Sequence, residues 1–241
     1  MNSIIYGPVS SWRLGRSLGF DILSPGGKTC SFDCTYCELG ATVHPLTERR
    51  EFVKLAELKR ELQEVKSIEA DYATFAGGGE PTLASNLGEA ISIVKLALGL
   101  PVAVLTNSSL MNKDNVRRDL ARADLVIAKV DAPNEKIFKT VNKPFRGQTL
   151  SQILESIRRF RSEYKGKLAI QMMFVDANKG CAEEMAIIAR ELSPDEVQIN
   201  TPLRLGGVKP LSPQEIAAIR DKFSGFKKVV TVYEVVRLRP T

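Results

Sequence analysis

The sequence has little of what marks membrane, secreted or multidomain chains. Among its 241 residues no stretch reaches the roughly 18 consecutive apolar residues of a membrane-spanning helix, and Met1 to Arg16 lacks the pattern of a signal peptide. No Gly/Ser-rich linker, low-complexity segment or short repeat interrupts the chain. We therefore expect one domain spanning residues 1–241, located in the cytoplasm and without a membrane partner.

Long basic runs are also missing, although the chain is basic overall. Lys and Arg number 34 against 28 Asp and Glu, which gives a net charge of +6. The basic residues are scattered in pairs such as Arg49-Arg50 and Lys227-Lys228, so no RNA-binding tail is predicted. Because net charge influences association rather than fold, the surplus fits a polyanionic partner and equally fits a protein with spare surface lysines.

Apolar, β-branched runs of strand length alternate with helical patterns along the chain. Seven runs predict strands: Leu18–Leu23, Asp71–Ala76, Val102–Thr106, Leu125–Val130, Leu168–Phe174, Val197–Thr201 and Val229–Val235. A helix is predicted after each of the first six strands, around Leu55–Val65, Ala84–Leu98, Asn112–Ala123, Leu150–Phe160, Ala182–Leu192 and Pro213–Phe223. This order indicates an α/β fold with a parallel sheet, either a partly open (β/α) barrel or a doubly wound sheet.

Three of the four cysteines lie within eight residues, in the loop after the first predicted strand. The pattern Cys30-x3-Cys34-x2-Cys37 allows three thiolates to reach one inorganic centre, and in a reduced compartment such clustering indicates a metal site rather than disulfides. A [4Fe–4S] cluster held by these three would keep one iron open for an exogenous ligand. A structural zinc ion would need a fourth protein ligand, for which His44 and Cys181 are the candidates.

Glycine-rich and polar segments follow the other predicted strands. The second strand leads into Gly77-Gly78-Gly79-Glu80-Pro81, where glycine permits close approach of a ligand to the backbone and Glu80 is expected to place a carboxylate at the rim, suited to an ammonium group. Polar side chains also follow the third, fourth and sixth strands: Asn107, Ser108, Lys129, Asp131, Asn200 and Thr201. Because the carboxyl ends of parallel strands share one edge, we expect these segments to meet there.

These motifs carry a resemblance to the radical S-adenosylmethionine (radical SAM) superfamily. The cysteine pattern, with Tyr36 before its last cysteine, resembles the superfamily's cluster motif, and Gly78-Gly79-Glu80 resembles its "GGE" element. Five segments more narrowly resemble a branch related to the wyosine-forming tRNA enzymes, with molybdenum-cofactor radical enzymes as more distant relatives: Gly7–Val9, Arg13–Gly19, Cys30–Gly40, Gly78–Leu83 and Thr106–Leu110. The resemblance implies a partial (β/α)6 TIM-like barrel with one extra C-terminal strand.

The resemblance also implies the cofactors and the residues that bind them. Cys30, Cys34 and Cys37 would hold three irons of a [4Fe–4S] cluster, whose fourth iron would chelate the amino and carboxylate groups of S-adenosylmethionine. Eight further residues would contact that cofactor: Gly78, Gly79, Glu80, Tyr36, Asn107, Ser108, Asn200 and Thr201. Lys129 and Asp131 would line the substrate side of the cavity as catalytic residues.

By the same resemblance, the expected activity is that of a radical SAM oxidoreductase. A low-potential electron donor of the flavodoxin or ferredoxin type would supply one electron, and S-adenosylmethionine would be cleaved to methionine and a 5′-deoxyadenosyl radical. That radical would abstract hydrogen from a substrate, RNA (a tRNA base) or protein. Two alternatives stay open: an activating enzyme that installs a glycyl radical on a partner protein, and a zinc-stabilised RNA-binding module. Since residues 1–29 hold no cysteine and no cysteine-rich segment follows the last strand, no second cluster is expected.

Overall fold

A β-hairpin begins the fold in this computed structural model, which describes residues 3–23, 26–145, 147–204 and 207–237. Strand β1 (Ile5–Ser11) pairs antiparallel with β2 (Gly15–Phe20). The sequence predicted only the second strand, and placed it at Leu18–Leu23. The first was missed because Gly7-Pro8 interrupts its pattern, and the hairpin register shifts where these two residues lie.

Eight strands of the described chain form one curled sheet. After the hairpin come β3 (Thr29–Cys30) and β4 (His44–Pro45), which form a separate small ladder. The large sheet continues with β5 (Tyr72–Phe75), β6 (Val102–Thr106), β7 (Leu125–Lys129), β8 (Lys167–Met173), β9 (Glu196–Asn200) and β10 (Val229–Thr231). Its order is β1-β2-β5-β6-β7-β8-β9-β10, and every neighbouring pair from β2 onward is parallel. The predicted partial barrel is confirmed, with an unpredicted antiparallel strand at its first edge.

Helices connect the parallel strands and cover one face of the sheet. They are α1 (Leu55–Glu64), α2 (Leu87–Leu98), α3 (Asp114–Leu120), α4 (Glu135–Val141), α5 (Leu150–Glu163), α6 (Ala182–Leu192), α7 (Pro213–Asp221) and α8 (Val232–Arg237). The sequence predicted neither α4 nor α8. No helix among these described residues is long and apolar enough to cross a membrane.

The C-terminal end of the predicted seventh strand is helical. Val229–Val235 was expected to be extended, but the strand ends at Thr231 and α8 begins at the next residue. Thr231 and Glu234 explain the change, because the Thr231 hydroxyl accepts from the Glu234 N–H (3.3 Å) while the Glu234 carboxylate accepts from the Thr231 N–H (3.2 Å). Such a reciprocal capping box satisfies two free backbone donors and starts a helix.

The two faces of the sheet bury different side chains. Strand residues alternate in direction, so Phe20, Phe75 and Ile170 point outward, are fully buried and belong to the core that the helices share. A second, smaller cluster on the inner face contains Ala103, Ile127 and Ala169, with Leu14 from the turn of the β1–β2 hairpin packed against them. Leu14 therefore helps to close the amino-terminal end of the barrel interior, and the carboxyl end is where polar loops gather.

Candidate functional site

The three clustered cysteines lie on a loop that is anchored at both ends. Cys30 ends β3 and is buried, whereas Cys34 and Cys37 are half-buried, and all three are free thiols. The loop turns between the last two, where the Cys37 N–H donates to the Cys34 carbonyl (3.1 Å). On its far side the Thr35 N–H donates to the carbonyl of Val141 at the end of α4 (2.9 Å). The spacing therefore places all three sulfurs on a short segment of defined backbone.

The triple-glycine segment pairs directly with the start of the cysteine loop. The Thr29 N–H donates to the Gly78 carbonyl (2.9 Å), and the Glu80 N–H donates to the Thr29 carbonyl (3.1 Å). Between these bonds Gly79 has φ = +157°, and a Cβ placed there would lie 1.6 Å from the Thr29 carbonyl oxygen. Glycine is required at this position because any side chain would push the two segments apart.

Glu80 is turned away from the rim, which is where the sequence predicted its carboxylate. The residue is 2% exposed. Its Oε1 accepts from the Thr82 N–H (3.0 Å) and from the hydroxyls of Thr82 (2.6 Å) and Thr106 (2.7 Å), while Oε2 accepts from the Asn107 N–H (2.6 Å). Burial raises the pKa of this carboxyl above its ordinary value, although the four hydrogen bonds oppose that shift. Glu80 thus joins the ends of β5 and β6, and a cofactor contact through it stays a prediction.

Asn107 carries this connection to the first cysteine. Its Nδ2 donates to the Ser31 hydroxyl (2.9 Å) and lies 3.5 Å from the Cys30 sulfur. The next residue, Ser108, has a left-handed backbone (φ = +69°) and is fully buried, with its hydroxyl 3.5 Å from the Lys129 carbonyl. A left-handed serine is uncommon and costs conformational energy. The backbone after β6 therefore holds Asn107 with its side-chain N–H directed at the cysteine loop.

A second amide contacts the second cysteine through a buried network. Asn142 Nδ2 donates to Asp131 Oδ2 (2.8 Å) and lies 3.6 Å from the Cys34 sulfur. The Tyr36 hydroxyl donates to the same carboxylate oxygen, and the Met173 N–H donates to the other (2.8 Å). Burial, followed by the Asp131 charge, raises the pKa of Tyr36 well above its ordinary value. Asp131 itself has no exposed side-chain surface and accepts from Tyr36 of the cysteine loop, and its predicted catalytic role stays a prediction.

Lys129, Asn200 and Thr201 complete the predicted set, and the Lys129 ammonium donates to Gln171 Oε1 (3.3 Å). Its ammonium lies 3.5 Å from Asp131 Oδ1 and 5.0 Å from the centre of the Tyr36 ring, with 18% of the side chain exposed. Asn200 Oδ1 accepts from the Thr201 N–H (2.9 Å), and the Thr201 hydroxyl accepts from the Leu211 N–H (2.9 Å). The latter two side chains therefore order the loop that follows β9.

The donor set fits an iron–sulfur cluster. Burial raises the pKa of Cys30 to about 12 and that of Cys34 to about 11, so both are neutral thiols at neutral pH until a cation displaces their protons. In the described ranges no three Cys, His, Asp or Glu side chains lie close enough to hold one metal ion. A single zinc ion needs four ligands about 2.0–2.3 Å away, whereas three cluster thiolates bind three different irons. Amide N–H groups directed at cluster sulfurs are a known means of tuning such centres.

The structure also places residues that the sequence did not single out. The Asn142 side-chain amide lies beside the Cys34 sulfur, and the Ser31 hydroxyl, next to Cys30, accepts from the Asn107 side-chain amide. Asn142 was missed because α4, which it follows, was not predicted. The segment after it returns to the cysteine loop, where Pro144 forms an antiparallel bridge with Phe32. By contrast, His44 is exposed on β4, and Cys181 lies at the start of α6, packed against the core.

A half-barrel of parallel strands with three free thiols beside a glycine segment defines the class of iron–sulfur enzymes that act on a bound nucleotide cofactor. The family model described as the Radical SAM superfamily matches residues 25–200. The chain therefore belongs to the radical SAM superfamily. It is an iron–sulfur enzyme whose cofactors are a [4Fe–4S] cluster and S-adenosylmethionine.

The chain also has relatives by sequence and by structure. UPF0026 protein MJ1312 of Methanocaldococcus jannaschii is 36% identical over 235 residues, which cover 95% of this chain and 72% of the relative. UPF0026 protein slr1464 of Synechocystis is 40% identical over 201 residues, covering 83% and 76%. The structure of Streptococcus suis SuiB bound to S-adenosylmethionine superposes with a TM-score of 0.66 at 15% identity, covering 85% of this chain and 48% of SuiB. The chain thus spans about half the length of SuiB, and the likeness confirms the fold.

Proposed function

We propose that Cys30, Cys34 and Cys37 hold the cluster and that S-adenosylmethionine binds beside it, along the glycine segment Gly78–Gly79. The observation that carries this proposal is the backbone pairing of Thr29 with the glycine segment. That pairing brings Cys30, which follows Thr29, close to a stretch of glycine backbone and supports a ligand site between them. Two elements separated by about fifty residues in sequence thus form one binding surface.

The chain's own residues would orient and shield the reaction. When bound, the two cofactors supply the one-electron cleavage of a sulfonium and the abstraction of a hydrogen atom from a substrate. Asn107 and Asn142 each direct a side-chain N–H at a cysteine sulfur, which favours the more negative state of the cluster. The Glu80 carboxylate accepts from the Asn107 backbone N–H and so holds Asn107 in place. We assign Tyr36 to the side where adenine would lie. The buried side chains of Glu80, Asn107 and Asn142 would shield this side of the reacting region from water.

The remaining predicted residues extend the site toward the adenosyl group and the substrate. We assign Ser108, Asn200 and Thr201 to the adenosyl side, where they would act through the loops that they order. We assign Lys129 to the substrate side because 18% of its side chain is exposed, and Asp131 Oδ1 would position its ammonium from 3.5 Å. A flavodoxin- or ferredoxin-type protein is proposed as the electron donor.

We further propose that the substrate is a base in RNA. The net charge of +6 supports this, because positive proteins attract polyanions. A protein substrate is the competing outcome. The two substrates are distinguished by anaerobic incubation of the reconstituted enzyme with transfer RNA and with protein fractions, followed by mass spectrometry. The true substrate should show a mass change that requires both the reductant and the cofactor.

The cofactor assignment is tested by reconstitution under nitrogen with iron and sulfide. The wild-type chain should bind about four irons and show the visible absorption that is typical of iron–sulfur centres. It should release 5′-deoxyadenosine when a low-potential reductant is added. The Cys34→Ala variant should lose cluster and product together. Cys181→Ala is the matched control and should behave as the wild type, since Cys181 packs away from the loop. Full cleavage by Cys34→Ala would overturn the ligand assignment.

A further inference from the structure

The glycine segment contacts a carboxylate that the sequence did not single out. Asp21 follows β2, and its Oδ2 accepts from the Gly78 N–H (2.8 Å), while its Oδ1 accepts from the Leu23 N–H (3.1 Å). The preceding Gly77, with φ = +144°, packs against the same side chain, because a Cβ placed there would lie 2.7 Å from the Asp21 Cγ. The glycine backbone therefore lies directly against the Asp21 carboxylate.

Strand register directs this carboxylate to the inner face of the sheet. Four neighbouring strands carry one row of register partners, Tyr6, Gly19, Thr74 and Ala103. Ala103 belongs to the inner-face cluster, so the row points inward. Asp21 comes two residues after Gly19, and its N–H still donates to the Ile4 carbonyl of the hairpin (2.8 Å). Since alternate residues of an extended chain point the same way, Asp21 faces the interior at the carboxyl end of β2.

The Asp21 carboxylate has no cationic partner. Within the residues that the structure describes, it forms no ion pair, and both of its hydrogen bonds come from backbone N–H groups. Each oxygen can accept another hydrogen bond, because a carboxylate has about four lone-pair sites. The residue is half-buried, so its charge is partly removed from water without compensation. A group that carries N–H donors would restore that balance.

Tyr6 borders the same corner of the barrel. Its ring packs against Gly19, where an added Cβ would lie 2.1 Å from the Tyr6 Cζ, and its hydroxyl donates to the Ala76 carbonyl (3.3 Å). Burial, followed by the charges of Asp21 and Glu38, raises the pKa of Tyr6 to about 12. Glu38 directly follows the last clustered cysteine. Tyr6 therefore lies near both Asp21 and the end of the cysteine loop.

We propose that the Asp21 carboxylate accepts a hydrogen bond from the amino group of S-adenosylmethionine, beside the glycine segment. Hydrogen bonds to an ionised group are about twice as strong as neutral ones, so this contact fixes the methionine end of the cofactor. Asp21 thereby takes the role predicted for Glu80, whose carboxylate is buried and fully used inside the protein. The inference rests on the proposed function, because it concerns the same cofactor site.

Equilibrium dialysis of the reconstituted protein, without reductant, tests the contact with three probes. They are S-adenosylmethionine, S-adenosylhomocysteine, which keeps the amino group but lacks the sulfonium charge, and the deamino analogue of S-adenosylmethionine. Asp21→Asn should weaken binding of the first two about tenfold, and that of the deamino analogue by less than about twofold. Asp71→Asn is the matched control, because Asp71 accepts from the Arg16 N–H and packs against Gly15 at the amino ends of β2 and β5. It should leave all three affinities unchanged.

Each outcome of the dialysis decides the matter. Equal weakening of all three probes by Asp21→Asn, or no weakening, would overturn the proposal, because a purely structural residue does not distinguish the amino group. Weakening of S-adenosylmethionine alone would assign the carboxylate to the sulfonium and would also overturn it. A wild type that binds none of the probes would contradict the proposed function and this inference together. Cofactor binding by the wild type with an unaffected Asp21→Asn variant would contradict this inference alone.

Carbodiimide labelling of the wild-type protein gives a second readout that does not depend on the folding of a variant. Glycine ethyl ester should couple to the half-buried Asp21 and to the exposed Asp71 in the ligand-free reconstituted protein. Saturating S-adenosylhomocysteine should protect Asp21 and leave Asp71 labelled, as measured by mass spectrometry of the peptides. Undiminished labelling of Asp21 in the presence of the ligand would contradict the proposal.

Discussion

Replacing Glu80 by Gln tests how the site is held together. The carboxylate accepts four hydrogen bonds in the folded chain, three at Oε1 and one, from the Asn107 N–H, at Oε2. A glutamine amide retains one acceptor oxygen, which can replace Oε1, but its NH2 group then faces the Asn107 N–H. Stranding one buried backbone donor costs about 1–3 kcal/mol. We therefore expect the free energy of unfolding to fall by about 1–3 kcal/mol.

Equilibrium unfolding in urea, followed by circular dichroism on the reduced, metal-free protein, measures this loss. The control is Glu51→Gln, because Glu51 is exposed and its substitution should change stability by less than about 0.5 kcal/mol. A loss below about 0.5 kcal/mol for Glu80→Gln as well would mean that the buried hydrogen bonds do not couple β5 to β6.

The same variant predicts a pH dependence whose sign follows from burial. Burial raises the folded-state pKa of Glu80, so its contribution to stability is fully present below the unfolded value of 4.5 and is lost as pH rises through the folded value. The stability difference between wild type and Glu80→Gln should therefore be larger at low pH and shrink at neutral pH. A difference that grows with pH would show that the hydrogen bonds, not burial, dominate.

Two further predictions concern the backbone contact and the cluster sulfurs. Gly79→Ala should prevent cofactor binding and lower the stability of the chain in urea unfolding, because its Cβ would lie 1.6 Å from the Thr29 carbonyl oxygen. Gly180→Ala is the control and should leave the stability unchanged, because a Cβ at Gly180 has no atom within 4 Å. Asn142→Ala should lower the cluster reduction potential by about 20–60 mV, the equivalent of one hydrogen bond of ~0.5–1.5 kcal/mol that favours the reduced state. Potentiometric titration followed by electron paramagnetic resonance measures this, and Asn134→Ala, at the other end of α4, should leave the potential unchanged.

The cysteine loop, the glycine segment and most strands were predictable from sequence because each depends on local spacing. The C-x3-C-x2-C pattern fixes three thiols on one turn, and apolar runs of strand length mark β5 to β9. The partial barrel follows from their alternation with helices. These features need no knowledge of which distant segment a side chain meets.

The direction of the polar side chains was not predictable in the same way. Glu80 next to three glycines was expected to face a ligand, but its hydrogen-bond partners Thr106 and Asn107 lie more than twenty residues away, on the next parallel strand. Likewise the position of Leu14 in the inner-face cluster depends on a hairpin whose first strand contains a glycine–proline pair. The short helix α8 could have been predicted from the sequence, because Thr231 and Glu234 have the spacing of a capping box.

The proposed site has three thiolate ligands, which would leave one iron of the cluster open for S-adenosylmethionine. Electron–nuclear double resonance of the reduced, reconstituted enzyme, with the cofactor labelled with nitrogen-15 at its amino group, measures that contact directly. A nitrogen-15 coupling to the cluster should appear in the wild type and vanish in Gly79→Ala. A reduced cluster whose spectrum shows no such coupling with saturating cofactor would mean that S-adenosylmethionine does not bind to the open iron.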